Sequence, residues 1–137
     1  MKRISDDQWS ASTRFKQENI FPVSANKKKP KISLEYLGGS FCISKCQAVE
    51  KADVVDTLHR ISALTWQEII QCGKAGSGYE QFSRDSIKYS IPKVDLFNSI
   101  DKVTVFHRKG KIPVIGFRIE ETFYIVAVDR TFSAYKH

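Results

Sequence analysis

Three consecutive segments near the C-terminus have the pattern of β-strands, and they constrain the fold more than any other feature of the chain. Val103–His107, Ile112–Ile119 and Thr122–Val128 are rich in β-branched and aromatic residues, and short turns join them. Connections this short place consecutive strands side by side in opposite directions. The pattern therefore predicts an antiparallel meander, followed by a last short strand at Phe132–Tyr135. Gly116 predicts a β-bulge in the middle strand, and a side of that strand that is exposed or faces a ligand.

The residues before the meander predict one strand and two helices. Apolar and polar residues alternate in Lys31–Leu37, as they do in a half-buried strand. Ser44–Gln47 has the form of a capping box and predicts the start of a helix that continues to Leu64. A second capping box at Thr65–Glu68 predicts another helix, which a group of glycines ends. Apolar residues recur every third position of the first helix, and we expect them to form its buried stripe: Val49, Ala52, Val55, Leu58 and Ile61.

The order of these elements predicts the fold class. Residues 74–98 fit no single pattern, because Tyr79–Lys88 is compatible with either a short helix or an irregular strand. The remaining order, β-α-α-β-β-β, favours an α+β fold in which an antiparallel sheet of four to five strands carries a helical hairpin on one face. We assign this single domain to residues 31–137.

Positive charge is concentrated near the N-terminus. The chain of 137 residues has 22 Lys and Arg against 15 Asp and Glu, a formal net charge of +7. Residues 1–33 hold eight of the basic residues and three of the acidic ones. Residues 1–30 contain only isolated apolar side chains, so we expect a basic, flexible arm. Such an arm is either a solvated tail or a segment that orders on a partner.

Several classes of protein are not favoured by the sequence. Its apolar runs are much shorter than the roughly 20 residues that cross a membrane, and no apolar signal-peptide core follows Met1. Cys42, Cys46 and Cys72 are an odd number without disulfide spacing, which suits a reducing compartment. We therefore expect a soluble cytoplasmic protein with no membrane partner. Cys42 and Cys46 lack a second close pair of metal ligands, so we expect buried structural thiols, no metal and no cofactor.

A family resemblance rests on the predicted topology and a few short motifs. Ile115–Arg118, the Glu120–Glu121 turn, Tyr124–Val128 and the ending Tyr135–His137 resemble the RelE/ParE superfamily of bacterial toxin-antitoxin toxins over residues 31–137. Many members are small ribosome-dependent endonucleases that cleave mRNA, and a bound antitoxin protein neutralises them. The resemblance implies a RelE-like fold and a metal-independent endoribonuclease of a toxin-antitoxin or phage-defence system. Its implied partners are RNA or the ribosome, and an antitoxin.

The charges of the meander fit chemistry on RNA. Lys102 to Ile119 contains basic residues and no acidic one. Cleavage by the RNA's own 2′-hydroxyl needs groups that transfer protons and a cation that stabilises the phosphorane, roles that suit His, Tyr and Arg. The candidate catalytic residues are His107, Arg118, Arg130, Tyr135 and His137. The candidate nucleic-acid-binding residues are Lys102, Arg108, Lys109 and Lys111, and the candidates for stacking on bases are Phe117, Phe123 and Tyr124.

Each candidate also has a purely structural interpretation. His107 is alternatively a strand-end residue, and Arg118 a sheet-surface residue paired with Glu120 or Glu121. The basic turn between the first two strands of the meander alternatively protects a sheet edge. Two other function classes therefore stay open. One is a non-catalytic nucleic-acid-binding module, and the other is a protein-interaction domain that binds an acidic partner chain.

Overall fold

The computed structural model describes residues 24–88 and 91–133, and within these ranges it contains five strands and two α-helices, with short 3-10 helices in the connections. The elements are β1 (Lys31–Ser33), α1 (Ala48–Ser62), α2 (Trp66–Gly76), β2 (Tyr79–Ser83), β3 (Lys102–Phe106), β4 (Val114–Ile119) and β5 (Thr122–Val128). The predicted α+β class is confirmed, and so are the three strands of the meander. Neither described helix has the length and apolar character needed to cross a membrane.

The five strands form one mixed sheet in the order β1-β5-β4-β3-β2. The pairs among β2, β3, β4 and β5 are antiparallel, whereas β1 lies parallel to β5 with Ile32 opposite Phe123. The prediction of a wholly antiparallel sheet is therefore wrong for one pair. Short turns force antiparallel pairing within the meander, but the long connection from β1 to β5 leaves the direction of β1 free. The additional strand is β2, in the segment whose pattern was ambiguous.

The helices begin at capping boxes, one of which differs from the prediction. α2 starts at the predicted box, where Thr65 Oγ1 accepts a hydrogen bond from the backbone N–H of Glu68 at 3.2 Å. α1 is instead capped one turn later, where the Glu50 carboxylate accepts the backbone N–H of Gln47 at 2.7 Å. Residues 43–45 form a 3-10 turn rather than the first turn of the helix.

The buried side of α1 matches the predicted stripe only in part: Ile61 is buried and Leu58 is partly buried, but the other three members are exposed. Val54, Thr57 and Ile61 are buried, whereas Val49 is 68% exposed and Val55 is 59% exposed. Each helical residue advances by about 100°, so residues three apart are displaced by about 60° and do not stay on one face. Spacings of three and four, as from residue 54 to 57 and 61, keep a constant face toward the sheet.

The sheet is covered on both faces. Both helices contribute to a core on one face, which includes Trp66, Ile69, Phe106 and Phe123. A second core on the other face contains Phe97, and residues from 36–41 and 82–100 pack against it. All but the last two residues of β4 are buried, so the predicted exposed or ligand-facing side of this strand is wrong.

Two further predictions concern the strands around β5. The predicted bulge is confirmed, because the register of β4 and β5 shifts between Ile115 and Gly116. A Cβ atom on Gly116 would lie 2.2 Å from the carbonyl oxygen of Tyr124, so the neighbouring backbone leaves no room for a side chain. The predicted last strand is wrong for Phe132 and Ser133, which are not in a strand, and the remaining predicted residues, 134–135, lie outside the described residues.

Candidate nucleic-acid interface

Residues 107–111, in the connection between β3 and β4, include most of the predicted binding residues, and we call them the basic turn. The backbone N–H of its first residue donates to the carbonyl of Gly78 at 2.9 Å. The N–H of its last residue donates to the carbonyl of Arg108 at 2.9 Å, which closes the turn. The backbone of the turn is thus held at the end of the sheet, while the side chains of Arg108 and Lys109 are exposed.

A cleft of about 340 Å³ lies between the basic turn and the end of α2. Its lining includes Lys74 and Ala75 from α2 and His107, Arg108 and Lys109 from the turn. Lys74 forms an ion pair with Glu80. Within residues 24–88 and 91–133, no ion pair involves Arg108 or Lys109. These two side chains therefore supply positive charge that nearby carboxylates do not compensate.

Arg60 adds a third positive charge near the turn. It lies in the last turn of α1. Burial and the nearby Arg108 guanidinium lower its pKa, while Asp56 opposes the shift. Its Nη2 atom is buried and has no hydrogen-bond partner in the described part of the chain. No sequence pattern distinguishes Arg60, because a basic residue in the last turn of a helix is common and favourable for the helix dipole.

An exposed aromatic ring lies at the same end of the sheet. Phe132 is 47% exposed, and its ring centroid is 5.8 Å from that of His107. The aromatic residues that the sequence analysis selected for base stacking are placed differently. Phe117 and Phe123 are fully buried, and Tyr124 is half-buried in the second core. The stacking prediction is therefore wrong for Phe117 and Phe123, because both sheet faces are covered.

The acidic side of α1 neutralises two of the predicted residues. Lys111 Nζ lies 3.1 Å from Asp53 Oδ1, and Arg130 Nε lies 3.2 Å from Glu50 Oε1. The hydrogen bond from the Gln47 N–H, and then Arg130, lower the pKa of Glu50. α1 thus crosses the strand ends and pairs with Lys111 and Arg130, which leaves Arg108 and Lys109 as the uncompensated part of the turn.

Arg118 lies at the opposite end of β4, beside the turn into β5. Its guanidinium carbon is 4.2 Å from the centroid of the Trp66 ring, and its Nε donates to the carbonyl of Glu120 at 2.7 Å. A second N–H of the guanidinium donates to Asn26 Oδ1. Burial lowers the pKa of Arg118, while Tyr79 and Glu120 oppose the shift. The side chain therefore links the hairpin to the start of α2 and to the segment before β1.

Residues 24–30 of the predicted arm take part in this end of the domain. The carbonyl of Lys28 accepts the backbone N–H of Trp66 at 3.0 Å, and the Lys28 ammonium lies 3.5 Å from Glu121. The indole N–H of Trp66 donates to the carbonyl of Glu121 at 2.9 Å. The contacts of the domain thus begin before Lys31.

The structure groups some of the predicted site residues and separates others. His107, Arg108 and Lys109 line one cleft, with Lys111 in the same turn and Arg130 near the same strand ends. Lys102 is exposed at the start of β3, and Arg118 lies near the end of β4, both at the other end of the sheet. Tyr135 and His137 lie outside the described residues.

The cysteines differ in exposure. Cys46 is buried, Cys42 is half-buried and Cys72 is exposed, so the prediction of buried thiols is wrong for Cys72. Burial raises the pKa of Cys46, whereas hydrogen bonds from Ser44 lower that of Cys42. In the ranges that the structure describes, no three His, Cys, Asp or Glu side chains are grouped closely enough to hold a metal ion.

The chemistry that this end of the sheet offers is recognition of phosphate beside an aromatic ring. The guanidinium fork of Arg108 matches two phosphate oxygens, and the ammonium of Lys109 adds a mobile charge. The imidazole of His107 lines the same cleft. Comparisons of the chain with protein-family models, with curated proteins and with solved structures gave no match.

Proposed function

We propose that the domain binds the phosphate backbone of single-stranded nucleic acid through the basic turn. The observation that carries this proposal is the pair Arg108 and Lys109, which are exposed and have no ion pair among the described residues. Lysines and arginines that contact phosphates release counterions, and this release drives sequence-independent binding.

The position of Phe132 favours a single strand over a duplex. An exposed ring close to a cationic turn allows an unpaired base to stack while its phosphate contacts the cations. RNA is the preferred ligand, since the RelE/ParE resemblance implies action on RNA. We place this activity in the cytoplasm, the compartment that the three unpaired cysteines favour.

Fluorescence anisotropy with a labelled single-stranded RNA tests the proposal. We expect the double variant R108A/K109A to bind much more weakly than the wild type. F132A is expected to lose about 1–3 kcal/mol of binding free energy, the usual value of one base–aromatic stack. The matched control is K88A/K93A, which removes two exposed lysines from the segment over the other sheet face and should bind normally. Equal affinities for R108A/K109A and the wild type would overturn the proposal.

RNA cleavage is a second candidate, and the shared cleft of His107 and Arg108 favours it. Attack by the 2′-hydroxyl requires a base that takes the hydroxyl proton, a cation that stabilises the phosphorane, and an acid that gives a proton to the departing 5′-oxygen. His107 would take the first proton and return it to the 5′-oxygen, and Arg108 would supply the cation. The enzyme would be a metal-independent, ribosome-associated endoribonuclease, and an acidic antitoxin chain would compete with RNA for the basic turn.

Incubation of a transcript with the protein in a chelator, with and without ribosomes, tests this second candidate. We expect H107A to abolish cleavage while RNA binding persists, and R108A to weaken both. A transcript that stays intact with the wild-type protein, or that H107A still cleaves at the same rate, would contradict a catalytic role for His107.

A further inference from the structure

The cleft beside the basic turn has more positive charge than contact with a passing backbone requires. Arg108 and Lys109 have no ion pair among the described residues. The positive charge of Arg60 acts on Arg108, and Asp56, one turn earlier on α1, offsets part of it. The Arg60 Nη2 atom is buried without a hydrogen-bond acceptor in residues 24–88 and 91–133. Like charges held together in this way are stabilised by an anion that lies near both.

We propose that this cleft is a subsite for the terminal phosphate of a nucleic-acid strand, which is a phosphate monoester. Arg108 and Lys109 contact the phosphate, and Arg60 attracts it through its charge without touching it. The inference rests on the proposed nucleic-acid binding and specifies which group of the strand the cleft takes.

Charge favours a terminal phosphate over an internal one. A monoester carries a charge of about −1.5 to −2 at pH 7, whereas an internal phosphodiester carries one negative charge. The two uncompensated side chains, Arg108 and Lys109, match the monoester. Lys74 lies on the opposite wall, but its ammonium is already paired with Glu80.

Two backbone carbonyls near the cleft already accept hydrogen bonds and so repel an anion less than free carbonyls would. The end of a helix normally presents free carbonyls that repel anions. At the end of α2, however, the carbonyl of Gly73 accepts both the N–H and the hydroxyl of Ser77, and the carbonyl of Lys74 accepts the N–H of Gly78. The stem of Arg108 lies against Gly78, since a Cβ there would be 2.9 Å from Arg108 Cγ. A side chain at position 78 would displace the arginine.

The test compares one RNA sequence with a 5′-phosphate, with a 3′-phosphate and with hydroxyls at both ends. We expect the wild type to bind one phosphorylated form about tenfold more tightly than the hydroxyl form, the contribution of one charge-assisted hydrogen bond. R108Q should abolish this preference, R60Q should reduce it, and R60K should retain it because the charge remains. K88A is the control and should keep the full preference. Circular dichroism checks that each variant is folded.

The outcomes separate this inference from the proposed function. If all three RNAs bind equally well and R108A/K109A weakens all of them, backbone binding stands and the terminal-phosphate subsite is overturned. If none of the RNAs binds, the proposed function is overturned together with the subsite. Inorganic phosphate added as a competitor should remove the preference for the phosphorylated end. If phosphate shifts the amide resonances of Gly78 and His107 while no RNA binds, the cleft takes free phosphate and the nucleic-acid assignment is wrong.

Discussion

Replacing Arg118 tests whether its guanidinium supports the fold or binds ligand. The variant Arg118→Met keeps an apolar stem but removes the stacking on Trp66 and the hydrogen bonds to the Glu120 carbonyl and to Asn26. A hydrogen bond from a charged group contributes about 1.5–3 kcal/mol, and a cation–π contact about 0.5–2 kcal/mol. Because Arg118 is only half-buried, the lower values apply and come to about 3.5 kcal/mol. Solvent around the two exposed hydrogen bonds reduces the expected loss of unfolding free energy to about 3 kcal/mol.

Urea denaturation and thermal unfolding measure this loss directly. A loss of about 3 kcal/mol corresponds to a fall of roughly 12 °C in Tm for a domain of this size. Arg118→Lys keeps the charge without the planar fork, so about half of the loss is expected. RNA affinity should stay unchanged at temperatures where both proteins are folded. A stability within about 0.5 kcal/mol of the wild type, combined with weaker RNA binding, would refute the structural role.

Three further predictions concern packing, pH and thiol accessibility. Gly116→Ala should destabilise strongly, because its Cβ meets a carbonyl oxygen of the adjacent strand at 2.2 Å, whereas Gly38→Ala meets nothing within 4 Å and should leave the urea midpoint unchanged. The hydrogen bond from the Gln47 backbone N–H at the start of α1 lowers the pKa of Glu50. The contribution of Glu50 to the free energy of unfolding is therefore present above the unfolded-state pKa of about 4.3 and is lost as pH falls through the folded-state pKa. Glu50→Gln should therefore lose less stability on acidification, and an equal loss would contradict this bond. A thiol reagent should modify exposed Cys72 in the native protein and buried Cys46 only on unfolding, and peptide mass spectrometry of the labelled sites distinguishes the two.

Local patterns predicted the meander and the start of α2 because each depends on residues close in sequence. Alternation over five to seven residues and short turns determine a hairpin without reference to the rest of the chain. The box at Thr65 and Glu68 likewise involves two residues three apart. The direction of β1 depends on contacts with a strand about 90 residues later, and no local pattern encodes it.

The candidate site was only partly predictable, for a related reason. The sequence shows several basic residues and no acidic one between Lys102 and Arg118, but it does not show which carboxylates elsewhere in the chain pair with them. α1 brings Asp53 to Lys111, and β4 carries Arg118 to the far end of the sheet. Ion pairs between different elements thus leave Arg108 and Lys109 as the only basic residues of the described turn without a carboxylate partner.

The salt dependence of RNA binding tests the central claim most directly. Each phosphate contact from a Lys or Arg contributes about −0.7 to the slope of log K against log salt concentration for a single strand. We expect the slope of R108A/K109A to be shallower than that of the wild type by about 1.4, and the slope of K88A/K93A to match the wild type. Identical slopes for R108A/K109A and the wild type would show that the basic turn does not contact the phosphate backbone.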